Sequence, residues 1–184
     1  MKPNIVALAS FLLFCGQAAA SDSITTEPEG NAYHYVSHYE MVIDAPAEDV
    51  WPVLADLGAW MDEFELSPVS GEPGAQGEVL RLYPEQAFYI QITRKIPNKF
   101  LAIANLPSTF QGERSTGVGV IALHEADGDT TVSITLSRRY TPLGDGANEM
   151  KARRSSAEFE QYDDAMWRER FLGNLKNLVE AAAE

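Results

Sequence analysis

The stretch Tyr39-Glu40-Met41-Val42-Ile43-Asp44-Ala45-Pro46-Ala47-Glu48-Asp49-Val50-Trp51 changes its hydrophobic period in the middle. Before Asp44 the residues alternate: Tyr35, Ser37, Tyr39, Met41 and Ile43 share one face, with His34, His38 and Glu40 on the other. A period of two marks a half-buried strand, here Tyr33 to Ile43. After Pro46 the spacing becomes helical, with Val50, Trp51, Val53, Leu54 and Leu57 recurring as far as Gly58. Asp44 is a candidate N-cap, and Pro46 suits the first turn, where a missing amide is least costly. Pro52 lies near that turn, so its lost donor is tolerable there. Ala59 to Phe64 reads as a second short helical piece.

Downstream, strands alternate with turn signals. Gly71 to Gly77 is rich in glycine and proline; Glu78–Tyr83, Ala87–Lys95 and Phe100–Leu106 then read as strands. Ser115–Leu123 and Thr131–Tyr140 flank Ala126-Asp127-Gly128-Asp129, and Asp-Gly between alternating runs is a strong hairpin signal. With Asp127-Gly128 as the loop, Leu123 opposes Val132, Ile121 opposes Ile134 and Gly119 opposes Leu136. The same parity sets Gly117 against Arg138 and Ser115 against Tyr140. The chain closes on a helix. Ser155 and Glu158 fit a capping box, with an earlier helical start possible near Asn148. Trp167, Phe171, Leu175, Leu178 and Ala182 form its apolar stripe. No repeat, low-complexity tract or dividing linker interrupts the chain.

The first twenty residues read separately. Lys2, the apolar run Ile5–Phe14 and Ala18-Ala19-Ala20 have the form of a secretory signal peptide, cleaved near Ala20. The run is short for a bilayer span, which needs about 20 residues. Phe14 occupies the place where a lipoprotein signal wants a small residue before its cysteine, so Cys15 is not read as an acylation site. Cys15 is the sole cysteine, and the mature chain therefore has no disulfide available. Residues 21–32 are polar and aperiodic and read as a flexible leader, leaving 33–184 as one domain. The expected location is periplasmic or secreted, without stable membrane insertion after cleavage. The formal net charge of −13 disfavours nucleic acid and anionic lipid surfaces as partners.

A strand, two short helices, a strand meander and one long amphipathic helix make up an uncommon order. It resembles the START-related superfamily, which includes polyketide cyclases–dehydrases and birch-pollen-allergen-type proteins. The resemblance is carried by Tyr39–Trp51 and by Leu54-Ala55-Asp56-Leu57-Gly58-Ala59-Trp60, and weakly by the late hairpin and Phe171–Val179. It implies an α+β helix-grip fold, with a curled antiparallel sheet of about six to seven strands wrapped around the C-terminal helix. Pro52 departs from the family pattern, and Pro142 to Ser156 is longer and more polar than expected, as an added loop or lid would be.

The resemblance also implies a cavity between sheet and helix, holding a hydrophobic small molecule that is lipid-like or polycyclic. Trp60, Phe64, Phe88 and Phe100 are candidate lining from the first half of the chain. Ile121, Ile134, Leu136, Trp167 and Phe171 are candidates from the second half. All nine serve equally well as core. Gly117 and Gly119 fall on the inward face, leaving room for a ligand or for the sheet to bend. Arg138 and Tyr140 share that face, and Arg94 has the parity of Phe88, Ile90 and Ile92. A buried arginine needs an acid or a ligand anion, and Asp163 and Asp164 are the available acids.

Two other functional classes fit the same residues. A cyclase or hydratase would use Arg138, Tyr140 or Arg94 to polarise a carbonyl, with Tyr140 as general acid. An interaction module would use the helix or the Pro142–Ser156 segment. No metal or cofactor is expected. His34 and His38 stand about 13 Å apart on a strand rising ~3.3 Å per residue, and His124 faces outward. Gly117-Val118-Gly119 opens no helix, and no nucleophile elbow is present.

Overall fold

The computed structural model describes residues 23–26, 32–110, 112–144 and 147–182. The expected signal peptide, residues 1–20, lies outside them.

Strand β2, Tyr33–Ile43, is the strand read from the period of two, and its burial alternates accordingly over the first seven residues. Helix α1, Ala47–Ala55, follows Pro46. Asp44 does not cap it. The amide of Ala47 instead donates to Glu125 Oε2 at 2.9 Å, a carboxylate brought in from the sheet. Pro52 sits inside the helix rather than in its first turn, and the helix ends at Asp56. Helix α2, Leu57–Trp60, and a 3₁₀ turn, Asp62–Phe64, complete the crossing.

The meander then runs through β3 (Ser67–Ser70), β4 (Val79–Leu82), β5 (Phe88–Ile96), β6 (Phe100–Phe110), β7 (Glu113–Ala126) and β8 (Asp129–Pro142). Part of the expected flexible leader is ordered as well: β1, Ser23–Thr26, pairs with β2. Among the described residues the sheet is antiparallel in the order β1-β2-β8-β7-β6-β5-β4-β3, curled and not closed. The short edge strands β1 and β3 extend the expected meander to eight strands.

The β7–β8 hairpin has the register derived from Asp127-Gly128: Leu123↔Val132, Ile121↔Ile134, Gly119↔Leu136, Gly117↔Arg138 and Ser115↔Tyr140. Both loop residues have positive φ, 56° at Asp127 and 93° at Gly128. That is the turn whose twist matches the flanking strands.

Pro142 to Ser156 carries a helix, α3, Ala147–Arg154. Helix α4, Ala157–Ala165, starts one residue later than a Ser155 cap implies. Ser156 Oγ accepts from the Phe159 amide at 3.2 Å, so the capping box is not formed. A π-helical stretch, Met166–Leu172, leads into α5, Gly173–Ala182. The extra residue in a π turn shifts the buried face. Trp167, Phe171, Leu172, Leu175 and Val179 are buried, whereas Leu178 is 36% exposed and Ala182 is at the surface. The expected stripe was one residue out of phase beyond Leu175.

The helix lies in the concave side of the sheet. Its core unites Tyr39, Ile43, Leu54, Trp60, Ile92, Leu101, Ile121, Ile134 and Phe171.

Candidate functional site

Inward parity on three neighbouring strands assembles the site. Ser115 and Gly119 project from β7, Leu136, Arg138 and Tyr140 from β8, and Ser37 and Tyr39 from β2. Opposite them α4 supplies Asp163, and the π turn supplies Trp167 one helical turn later. Between sheet and helix remains a cavity of about 140 Å³, partly open to solvent. Its wall is mostly apolar, including Phe64, Phe88, Ile90, Ile103, Leu136 and Trp167.

The polar part of the wall is built from two buried ion pairs. Arg138 Nη2 lies 2.7 Å from Asp163 Oδ2 and Nη1 lies 3.2 Å from Oδ1, a bidentate clamp. Arg138 Nη2 also donates to Ser37 Oγ at 2.9 Å, and the guanidinium stacks 4.7 Å above the Tyr35 ring. Tyr39 donates its hydroxyl to Asp163 Oδ2 at 2.5 Å. In the second pair Arg154 Nε and Nη2 reach Glu113 Oε2 at 3.1 and 3.0 Å, while Tyr33 donates to Glu113 Oε1. Arg154 lies over the rings of Tyr140 and Phe159, and so ties α3 to the cavity end of the sheet.

Burial first, then the neighbouring Asp163, raises the Tyr39 phenol far above its ordinary range. Burial and Glu113 do the same to Tyr33. Burial alone would depress Arg138, but Tyr140 and Asp163 outweigh it, and its pKa is raised. Both phenols and both guanidiniums therefore stay protonated at neutral pH, and each arginine has its own carboxylate.

Among the described residues five buried side-chain polar atoms have no hydrogen-bond partner, and two of them, Arg81 Nε and Ser108 Oγ, belong to residues away from the cavity. Trp60 Nε1 donates to Leu54 O at 3.1 Å. Among the described residues, Trp167 Nε1, Ser115 Oγ and Arg138 Nε are buried without a hydrogen-bond partner, and all three residues line the cavity. A buried unpaired donor costs about 1–3 kcal/mol, and each of these three atoms is itself closed to solvent.

The structure divides the expected site residues. Phe64, Phe88, Gly119, Leu136, Arg138, Tyr140 and Trp167 line the cavity. Trp60, Ile121, Ile134 and Phe171 are buried in the core and do not. Phe100 has the opposite parity to Leu101 and Ile103 and faces away from the cavity. Arg94 is likewise displaced. A bulge between Ile92 and Arg94 shifts the register, and Arg94 is exposed above the Phe100 ring at 5.7 Å. Gly117 makes no space for a ligand. A Cβ there would stand 2.7 Å from Ser137 O and 3.3 Å from Arg138 Cγ, so the glycine accommodates the neighbouring strand. At Gly119 a Cβ would meet Ile103 and Leu136 side chains at 3.0 Å.

Of the two expected acids, Asp163 pairs with Arg138, and Asp164 pairs instead with Arg168. His34 and His38 bond to Ser137 and Thr135 across the outer face. No three His, Cys, Asp or Glu side chains among the described residues are grouped to hold a metal.

Sequence reasoning missed Glu113, Arg154 and Ser115 as site residues. Ser115 was already opposite Tyr140 in the hairpin register, and continuing that register one more inward step reaches Glu113 opposite Pro142. Nothing local marks Arg154, whose partner lies 41 residues away. A second hollow of about 440 Å³ lies between α1–α2 and β3–β5, beside Lys95 and Glu78. Among the described residues it is lined by no unpartnered buried polar atom.

Solved structures with the same architecture are numerous. A protein of Nitrosospira multiformis superposes with a TM-score of 0.56 at 18% identity, covering 77% of this chain and 94% of its own. Ara h 8.0201 gives 0.57 at 11%, covering 80% and 99%. Truncated norcoclaurine synthase from Thalictrum flavum gives 0.54 at 15%, covering 81% and 95%. No family sequence model and no curated protein sequence matches the chain. The fold shared with these structures is the helix-grip fold.

Proposed function

We propose that this protein is an exported binding protein that holds a compact, largely apolar small molecule between its sheet and its C-terminal helix. The observation that carries the reading is the mostly apolar cavity of about 140 Å³, rimmed by Arg138–Asp163 and Arg154–Glu113. The volume narrows the ligand. A dry cavity of about 150 Å³ holds benzene, whereas drug-sized ligands occupy roughly 300–1,000 Å³. A ring-sized body fits inside this cavity, and the open side leaves room for the rest of a larger ligand. The helix-grip fold supports the position of such a site without indicating its occupant. The leader read in residues 1–20 supports action outside the cytoplasm.

Binding rather than turnover is the better use of Arg138, because both of its terminal nitrogens are already committed to Asp163 and Ser37. The test is native mass spectrometry of protein purified without detergent from its exported fraction, with organic extraction of the same sample. A co-purified molecule with a ring-sized apolar body at near-unit occupancy is expected. A bare polypeptide mass, with no thermal shift across a panel of ring-sized compounds, overturns the reading.

A further inference from the structure

The two ion pairs of the cavity wall differ in what they are mounted on. Arg138 and Asp163 join the middle of β8 to α4, and both are held further by Ser37 and Tyr39. Arg154 stands on α3, and among the described residues it is the member of that helix that lines the cavity. Of the α3 side chains described, Glu149, Ala152 and Arg153 are exposed and Arg154 is partly buried. Its side chain is 15% exposed, while that of its partner Glu113 is 1% exposed. Nε and Nη2 both bond to Glu113 Oε2, and the guanidinium lies 4.4 Å from the centre of the Tyr140 ring. Glu113, Tyr140 and Arg154 all belong to the cavity wall, so this cation stands between the cavity and solvent.

The second pair can part at moderate cost. Tyr33 donates to Glu113 Oε1, so the carboxylate keeps a partner when Arg154 leaves its other oxygen. The arginine starts partly exposed on a long flexible stem and regains its hydrogen bonds from water. The chain leading into α3 has room to turn. The Leu143 amide is pinned to Gly112 O at 2.8 Å, and Gly144 follows at a φ of 76°, where a Cβ would meet nothing within 4 Å. The α3 sequence, Ala-Asn-Glu-Met-Lys-Ala-Arg-Arg, offers little apolar area to hold it against the body by burial.

We propose that the Arg154–Glu113 pair is the gate of the cavity: when it parts, the α3 end of the wall opens, and its closure limits how fast molecules enter and leave. The gate is a property of the wall and does not depend on which molecule, if any, the cavity holds.

Thiol labelling tests this without a ligand. The full chain carrying Cys15→Ser has no other cysteine, so one thiol can be placed at will. Leu136→Cys, or Ile103→Cys should the first fold poorly, puts it in the cavity wall, and Leu54→Cys puts it in the filled core. The reagent is dithiodipyridine, a neutral aromatic disulfide whose reaction is followed by absorbance. The wall thiol is expected to react faster than the core thiol, at a rate nearly independent of low urea, as local opening requires. Glu113→Gln and Arg154→Met are each expected to speed the wall reaction at least about tenfold, the weight of one hydrogen bond to a charged group. A wall rate that climbs with urea in parallel with the core rate overturns the gate, because only global unfolding then admits the reagent. A wall rate unchanged by both variants also overturns it, because entry then lies elsewhere. The binding reading keeps its own test. A molecule recovered by extraction together with an unchanged wall rate removes the gate alone, and a bare chain with an accelerated wall rate removes the binding reading alone.

Discussion

Replacing Asp163 by Asn removes one charge and almost no volume. Asp163 is 2% exposed and Arg138 11%, so the pair is screened little by solvent. In the variant the Arg138 guanidinium stays charged, with its pKa already raised well beyond any working pH. The amide oxygen can still accept one of the bonds now made to Asp163, and it can still accept from Tyr39. What it cannot do is balance the buried charge. Breaking a buried pair in this way costs about 3–5 kcal/mol, and the retained hydrogen bonds place this case near the lower end. For a domain of this size about 3 kcal/mol corresponds to a melting temperature lower by roughly 6–12 °C. Equilibrium urea denaturation gives the free energy directly. The double variant Arg138→Met/Asp163→Leu is expected to recover most of the loss, short of the hydrogen bonds of Ser37 and Tyr39. A loss below about 1 kcal/mol for Asp163→Asn, the value of an exposed pair, refutes the buried clamp.

Tyr39 and Tyr33 have phenol pKa values raised by burial, so the folded chain keeps protons that the unfolded chain releases above about pH 10. Their contribution is complete below that pH and is lost as pH rises, by up to about 1.4 kcal/mol per pH unit for each tyrosine. Urea titrations at pH 9–11 should show this slope, and Tyr39→Phe should lessen it by one tyrosine's share. Glu113→Gln weakens the attachment of α3 through Arg154, and faster amide hydrogen exchange over residues 147–154 is expected with little change in β8. Gly117→Ala drives a Cβ to 2.7 Å from a backbone oxygen and should cost about 1–3 kcal/mol by denaturation, whereas Arg94→Ala, at an exposed position, should be nearly silent.

Legibility in the sequence followed the range of the interaction. The period switch at Asp44 and the Asp127-Gly128 turn are local, and they specified β2, α1 and the whole β7–β8 register. Departures arose wherever one extra residue entered an element. The bulge after Ile92 turned Arg94 outward, and the π turn at Met166–Leu172 exchanged Leu178 for Val179. Neither insertion has a composition signal, because each is imposed by packing on the neighbouring element. Phe100 failed for a different reason: it begins its strand, so Leu101 and Ile103 set the parity. The cavity wall from the hairpin was readable for the reason its register was. The second ion pair was not, since Arg154 meets Glu113 only after α3 folds back on the sheet.

An apolar ring is expected to enter the cavity between the sheet and the C-terminal helix. Methyl-resolved NMR of the protein titrated with toluene tests it directly. Saturable shifts are expected at Ile90, Ile103 and Leu136, which line the cavity, and none at Ile43 or Leu54 in the filled core. Shifts confined to exposed methyls such as Val42, or no saturable shift at all, would contradict it.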